Sequence, residues 1–461
     1  MVKRNPARLL VAAATGVCLL FSSLPAAHAA DVNTVPNAAP GSFDNNFNGF
    51  YDIPRSLPNK PGKLIRTQNF KAEAIEFGDN PEQQLPINGT RIMFSTLLSN
   101  GKMGYSTAAF MKSNVTWRHN SLRPLVIHGP GTLGQGAQCA ATKTIGDIFS
   151  SQGELFANLK GAEPFQPIMN YESITADKLL DAGMDVLTVD YTGSSEGIQS
   201  YINNIEAGRV MLDAARALKE LSLINGETPV TLLGYSQGGS AAALAATLHP
   251  TYAPDVNLRA AVVGAPPLDL IEVSKQIDGS SMTGLIGYAI NGFADRYPAM
   301  EKLLDRILNA DGKRILSELK DTCVIGANLR HGFTKTSSWT IDGRPIYKHL
   351  ESTPGIRKIL DEQLAAAYAA PKVPVLFAAN PNDDVVAFNQ VKAMSERWCA
   401  AGADLEFLEI RFGPLLEGVG LHHIVPGFGL IGPGRDFIIN NLTGDRQKGC
   451  TTAVKEMSIR K

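Results

Sequence analysis

An excess of charge of either sign is missing from this sequence: 43 Lys and Arg stand against 44 Asp and Glu, a formal net charge of −1. That balance builds no positive field to attract nucleic acid, so no nucleic-acid partner is expected. Cysteine is scarce, with five in 461 residues, and no two are spaced as Cys-x-x-Cys. A redox dithiol or a zinc knuckle is therefore not expected. There is no internal repeat and no low-complexity tract. Past the N-terminal segment, no apolar run approaches the roughly 20 residues that span a bilayer. The Gly-rich stretch at 129–134 lacks a P-loop Lys-Ser/Thr ending and does not lead into a helical pattern, so nucleotide binding is set aside. Nothing calls for a cofactor or a bound metal. What remains is an ordinary globular composition, 44% hydrophobic and 19% charged, of a length that suits one large domain with an insertion or two domains sharing a core.

The N-terminus has the pattern of an export signal. Lys3, Arg4 and Arg8 precede an uncharged apolar run from Leu9 to Leu20, and Ala27-His28-Ala29 offers small side chains at a cleavage site. Cleavage is expected after Ala29, sending the chain to the exterior or the cell envelope. The cut removes Cys18 and leaves Cys139, Cys323, Cys399 and Cys450. Four cysteines in an exported chain suggest two disulfides, with three pairings open.

Residues 30–60, rich in Asn, Pro, Gly and Ser, read as an extended or weakly ordered arm. Arg91–Thr96 and Gly104–Met111 flank the turn residues Ser99-Asn100-Gly101 and predict a hairpin. Short apolar runs then alternate with helical stretches, the pattern of a parallel sheet with crossover helices. The candidate strands are Pro124–His128, Met184–Val189, Val230–Leu233, Arg259–Val263, Pro374–Ala378 and Leu405–Ile410. Helices are expected over Ile205–Leu221 and Gly239–Leu248. The strand rhythm stops between about 269 and 370, where helical patterns at 299–308, 312–319 and 356–369 predict an inserted cap. The expected division is a core over 61–268 and 371–461, with the cap at 269–370. A cap so placed covers the carboxyl ends of the strands.

Gly234-Tyr235-Ser236-Gln237-Gly238 follows the apolar strand Val230–Leu233 and precedes a helix start rich in Gly, Ser and Ala. Strand, Gly-x-Ser-x-Gly and helix together form the nucleophile elbow of α/β-hydrolases, where glycines let the strand and helix close on a strained serine. The expression also matches Gly193-Ser194-Ser195-Glu196-Gly197, but small residues are missing from the segment after it. Ser236 is therefore the candidate nucleophile. The bland reading is a Gly-Ser turn that packs a helix on a sheet.

In this fold the acid and then the base follow the serine. Only His422 and His423 lie beyond the late strands, so one of them is the candidate base, on the loop after Leu405–Ile410. The strand Pro374–Ala378 runs into Asp383-Asp384, either of which could orient that imidazole. A solvated turn or loose calcium site for the Asp pair, and a metal site for the His pair, are the competing readings. One oxyanion donor is expected at the amide of Gln237. The other is expected in the loop 128–134, where Pro130 has no N–H and Thr132 or Gly131 is the candidate.

These residues resemble the secretory lipase family, the relatives of yeast lipase A and the actinobacterial secretory triacylglycerol lipases, over roughly residues 90–440. Gly131-Thr132-Leu133-Gly134 is similar to the family's oxyanion loop, which ends in Cys-Ala-Pro-Ser. Asp190-Tyr191-Thr192-Gly193 is similar to its Asp-Tyr-x-Gly segment. Gly264-Ala265-Pro266-Pro267-Leu268-Asp269-Leu270 looks like its segment after the elbow, and Asp383-Asp384-Val385-Val386 like its acid turn. The resemblance implies an α/β-hydrolase fold, a mostly parallel central sheet with helices on both faces and an inserted helical cap. It assigns the acid to Asp383, pairs Cys139 with Cys323 and Cys399 with Cys450, and implies an acyl-chain pocket shaped by an apolar cap segment. Met282–Phe293 is the nominee, with a buried helix free of ligand contact as the alternative. The sequence departs from the family at Ala140-Ala141-Thr142, where Ala-Pro-Ser is usual, and at Ala387, where a proline often follows the acid turn. The His pair leaves the base open, with His423 taken first and His422 as the alternative.

The resulting expectation is a secreted carboxylic-ester hydrolase, a lipase or esterase, acting on lipid or acyl esters and touching lipid interfaces transiently. A cell-envelope acyltransferase with the same triad, a non-catalytic envelope binding protein and a peptidase are the alternatives. The sequence carries no expectation for oligomeric state, acyl-chain length or alcohol group.

Overall fold

The computed structural model describes residues 47–72, 82, 87–145, 149–150, 168–194 and 198–458. The signal segment, residues 30–46 of the arm and Ser195 lie outside the described residues. Residues 47–60 form turns, with Phe50 buried against Met93 and Tyr105.

A ten-stranded sheet organises the chain. β1 (Leu64–Ala72), β2 (Ile87–Leu97) and β3 (Met103–Met111) form an antiparallel meander at one edge, with β2 and β3 joined through the Ser99–Gly101 turn. β4 (Leu125–Gly129), β7 (Asp185–Val189), β8 (Val230–Tyr235), β9 (Leu258–Gly264), β10 (Val375–Ala379), β11 (Leu405–Arg411) and β12 (Cys450–Glu456) are parallel to one another. The order across the sheet is β1-β2-β3-β7-β4-β8-β9-β10-β11-β12. A separate two-stranded ribbon pairs β5 (Phe149–Ser150) with β6 (Ile168–Met169).

The central strands are apolar on both sides because both faces are covered. Ile127, Leu232, Val263 and Phe377 point to one core, while their neighbours Val126, Leu233, Val262 and Leu376 point to the other. The first core is closed by α2 (Asn204–Glu220), α3 (Gln237–Tyr252) and α11 (Phe388–Ala400). The second is closed by α1 (Glu172–Asp181) and α12 (Leu421–Thr443). From β4 the chain moves to β7 on one side and then to β8 on the other. The reversal opens a crevice at the carboxyl ends of β4 and β8.

Between β9 and β10 the described residues hold no strand of this sheet. They form α4 (Leu270–Ile277), α5 (Gly284–Arg296), α6 (Pro298–Ile307), α7 (Ala310–Leu319), α8 (Val324–His331), α9 (Ile346–Ser352) and α10 (Pro354–Asp361). The helix expected over 356–369 stops early. Gln363 is fully buried and turns inward, its side-chain oxygen accepting the Ile205 amide at 3.2 Å and its carbonyl accepting from Asn204, which breaks the helical run. Cys139 is bonded to Cys323 and Cys399 to Cys450.

Candidate active site

Ser236 sits on the turn between β8 and α3 with φ 56° and ψ −122°, a conformation few residues other than glycine adopt. The turn is tight because its glycines allow it. A Cβ on Gly234 would stand 2.1 Å from the Gly238 carbonyl oxygen, and one on Gly238 would stand 1.8 Å from the Gly129 oxygen. The Ser236 amide is tied to the Gly264 carbonyl at 2.9 Å, leaving the side chain at the tip of the turn.

His423 meets that hydroxyl. Its Nε2 lies 2.8 Å from Ser236 Oγ and its Nδ1 lies 2.8 Å from Asp383 Oδ2. A carboxylate only accepts, so Nδ1–H donates to Asp383 and Nε2 is left to accept the serine proton. Asp383 is held from behind: Oδ1 accepts the amides of Val385 at 2.9 Å and Val386 at 2.8 Å. Its carbonyl accepts from Gln276 of α4 at 2.7 Å. The Asp383 and His423 side chains are 1% and 7% exposed, so water competes little for their bond. Tyr235 donates its hydroxyl to the His423 carbonyl at 2.7 Å and lays its ring beside the imidazole. Burial, then the Asp383 charge, pushes this phenol well above its usual range, so it remains a donor.

The two histidines belong to the first turn of α12 and not to a loop, which corrects the expectation. Gly420 in left-handed geometry (φ 80°) starts that helix, and its amide donates to Asp384 Oδ2 at 2.8 Å. One turn of helix sends successive side chains in different directions. His422, the alternative base, is fully buried and accepts the Leu415 amide on Nε2 at 2.6 Å, with Nδ1 3.7 Å from Asp384. Its acceptor nitrogen is occupied by backbone, so it is not available to Ser236. Asp384 thus serves the helix start, while Asp383 serves His423.

Gln237 is the first residue of α3, and its amide is among those left without an intrahelical acceptor at the helix N-terminus, where the dipole favours negative charge. Its side chain turns away to Gln199, at 2.8 Å. In the facing loop the Gly131 amide donates to Glu172 Oε1 at 2.6 Å, which removes Gly131 as the alternative oxyanion donor. The Thr132 hydroxyl is hydrogen-bonded to Tyr201 at 2.8 Å, and Tyr201 lines the same cavity as Ser236. The cavity is small, about 20 Å3, room for about one water. Its walls include Leu270, Val273 and Ile277 of α4 and Leu285, Ile286 and Ala289 of α5. The nominated segment Met282–Phe293 therefore supplies three wall residues.

The disulfide Cys139–Cys323 ties the end of this loop to the start of α8, beside hydrogen bonds from Gln135 to Thr322 and from Val324 to Leu133. Thr142 stands where the family has serine, and its amide and hydroxyl both bind the buried Asp190. Sequence reasoning missed Gln276, Tyr235, His128 and Glu172. Tyr235 lies inside the elbow motif, but no spacing in the sequence marks the other three.

A strained serine at a strand-to-helix turn, on a mostly parallel sheet covered by helices on both faces, defines an α/β-hydrolase. The closed-state crystal structure of Candida antarctica lipase A has this fold: it superposes with a TM-score of 0.67 at 21% identity, over 86% of this chain and 87% of that one. The secretory lipase family model matches residues 164–424, and the chain belongs to the secretory lipase family. A secreted triacylglycerol lipase (LIP3) of Malassezia restricta is 28% identical over 251 residues, 53% of this chain and 52% of that protein. A protein of Mycobacterium tuberculosis described as a probable inactive lipase is 26% identical over 288 residues, 62% of this chain and 61% of its own. The chain spans about half the length of the first curated relatives it matches.

Proposed function

We propose that the protein is a secreted serine hydrolase that cleaves lipid or acyl carboxylic esters through an acyl-enzyme on Ser236. The observation that carries this reading is the hydrogen-bonded chain Asp383–His423–Ser236, 2.8 Å at each link, opening on an apolar cavity. His423 Nε2 takes the Ser236 proton as Oγ attacks the ester carbonyl, and Asp383 stabilises the imidazolium. The amides of Gln237 and Thr132 hold the oxyanion. Collapse breaks the ester C–O bond, and His423 returns the proton to the departing alcohol. Water, activated by the same imidazole, then releases the acid and restores Ser236.

The apolar walls from α4 and α5 suit an acyl chain. In this reading the segment 269–370 acts as a cap over the core formed by 61–268 and 371–461. Exposed Leu415 and Leu416, beside the turn that Ser281 and Gly418 link, and exposed Leu329 and Phe333 give this side an apolar rim for a lipid interface. Cleavage after Ala29 would release the mature chain.

The test compares mature protein with Ser236→Ala on p-nitrophenyl esters of increasing acyl length. One relative is described as a probable inactive lipase, which gives this comparison its weight. Hydrolysis by the wild type and not by the variant is expected. Equal rates on every ester would remove the hydrolase reading.

A further inference from the structure

The loop facing the elbow is fixed by a buried pair that the triad does not use. His128, at the end of β4, presents Nε2 to Glu172 Oε2 at 2.9 Å, and the two side chains are 1% and 6% exposed. His128 Nδ1 is 3.3 Å from the Thr188 hydroxyl, which fixes the ring from its other side. The second oxygen of Glu172 accepts the Gly131 amide at 2.6 Å.

The same loop is gripped at two carbonyls. Tyr191 donates to the Pro130 oxygen at 2.8 Å and Tyr171 to the Thr132 oxygen at 3.3 Å. Burial, then the Glu172 charge, keeps both phenols well above their usual range, so they stay donors. The two peptide units that flank the 131–132 unit are thus oriented by named partners: 130–131 at its carbonyl and its amide, and 132–133 at its carbonyl. The peptide unit between 131 and 132 is the one whose N–H would serve the oxyanion. A carboxylate that binds the 131 amide stops the loop from rotating that N–H into the site in place of the next one. A Cβ on Gly131 would lie 2.6 Å from the Tyr171 hydroxyl and 2.8 Å from Glu172 Oε1, so it would push apart the two side chains that grip the loop.

We propose that Glu172, oriented by His128, is a positioning residue for the oxyanion hole: by holding the Gly131 amide it directs the Thr132 amide toward the oxyanion of the ester intermediate. The inference rests on the serine-hydrolase reading above. Glu172 touches no reacting atom, and its effect passes through the loop backbone. What the loop needs from it is an acceptor at the right distance, not a charge. Loss of that acceptor lowers kcat, since the donor matters most in the transition state, and leaves KM nearly unchanged.

Three variants separate the terms. E172A removes the acceptor, E172D keeps the charge but withdraws it by one methylene, and E172Q keeps an oxygen at full reach without the charge. On one soluble p-nitrophenyl ester, E172A and E172D are expected to lose roughly 10- to 100-fold in kcat, short of the loss from deleting an oxyanion donor outright. Their KM is expected within about twofold of wild type, and E172Q within about fivefold of wild type in kcat. Should E172A fail to fold, as read by thermal unfolding, the contrast between E172D and E172Q carries the same content. Equal losses in E172D and E172Q, or variants that lower stability while kcat stays at the wild-type value, would overturn the proposal. Ser236→Ala is the blank. A wild type no faster than that blank would overturn the hydrolase reading, and this inference with it. An active wild type matched by E172D would overturn the inference alone.

Discussion

His422 and His423 are consecutive in the chain, yet only His423 is hydrogen-bonded to a carboxylate, Asp383 at 2.8 Å, while His422 Nδ1 stands 3.7 Å from Asp384 without a hydrogen bond. Substitution should separate them. His423→Gln is expected to lower kcat by about six orders of magnitude. His422→Gln breaks a buried bond to the Leu415 amide, so it is expected to cost about 1–3 kcal/mol of stability and to leave kcat within about tenfold. Steady-state kinetics and denaturant unfolding on both variants check the assignment. A larger loss of kcat in the His422 variant would reverse it.

The two disulfides should differ in the same way. Cys139–Cys323 joins the loop carrying Thr132 to the start of α8, whereas Cys399–Cys450 joins α11 to the edge strand β12. Each paired Cys→Ser double variant is expected to lose about 2–5 kcal/mol. Only the first is expected to lose kcat as well. Activity assayed at a temperature where both variants remain folded makes the distinction.

Asp177 carries a pH dependence of stability. Burial first, and the neighbouring Asp181 charge second, raise its carboxyl from 3.8 to about 7. The folded state therefore keeps a proton that the unfolded state loses near pH 4. Stability from this group is full below about pH 4 and falls as pH rises toward 7. Asp177→Asn is expected to be more stable than wild type at pH 8 by about 1–2 kcal/mol, a figure reduced for solvent screening. The difference should vanish at pH 4. Melting temperatures across that range test it.

Ala387 precedes α11 with φ −54°, within the range a proline ring imposes. Ala387→Pro, which restores the residue the family often has there, is expected to add about 0.4–1 kcal/mol by restricting the unfolded chain. A lower midpoint in urea would show that the preceding backbone cannot accommodate the ring.

Much of this fold was legible because its signals are local. The runs at 230–233, 259–263 and 374–378 are largely apolar, as strands covered on both faces must be; the first two fall inside observed strands, and the third overlaps β10 from Val375 on. The elbow was legible because its glycines answer a contact between neighbouring segments. β12 was not: Cys450–Glu456 is an edge strand with a largely polar, half-exposed sequence. The helical setting of His423 was hidden by Pro426 and Pro433 inside α12 and by four glycines between 427 and 434, which local propensity reads as a loop. Glu172 was invisible for a different reason. Its partner His128 is 44 residues away, and only the pairing of β4 with β7 and the packing of α1 bring them together.

The most direct test of the central claim is the mass of the enzyme after reaction with a p-nitrophenyl phosphate triester, followed by mapping of the modified peptide. The account predicts one dialkylphosphoryl group on Ser236, none on Ser236→Ala, and a rate of modification lowered in His423→Gln by about the same six orders of magnitude as its kcat. A stable adduct on another residue, Ser195 included, or ester hydrolysis that persists with Ser236 replaced, would contradict it.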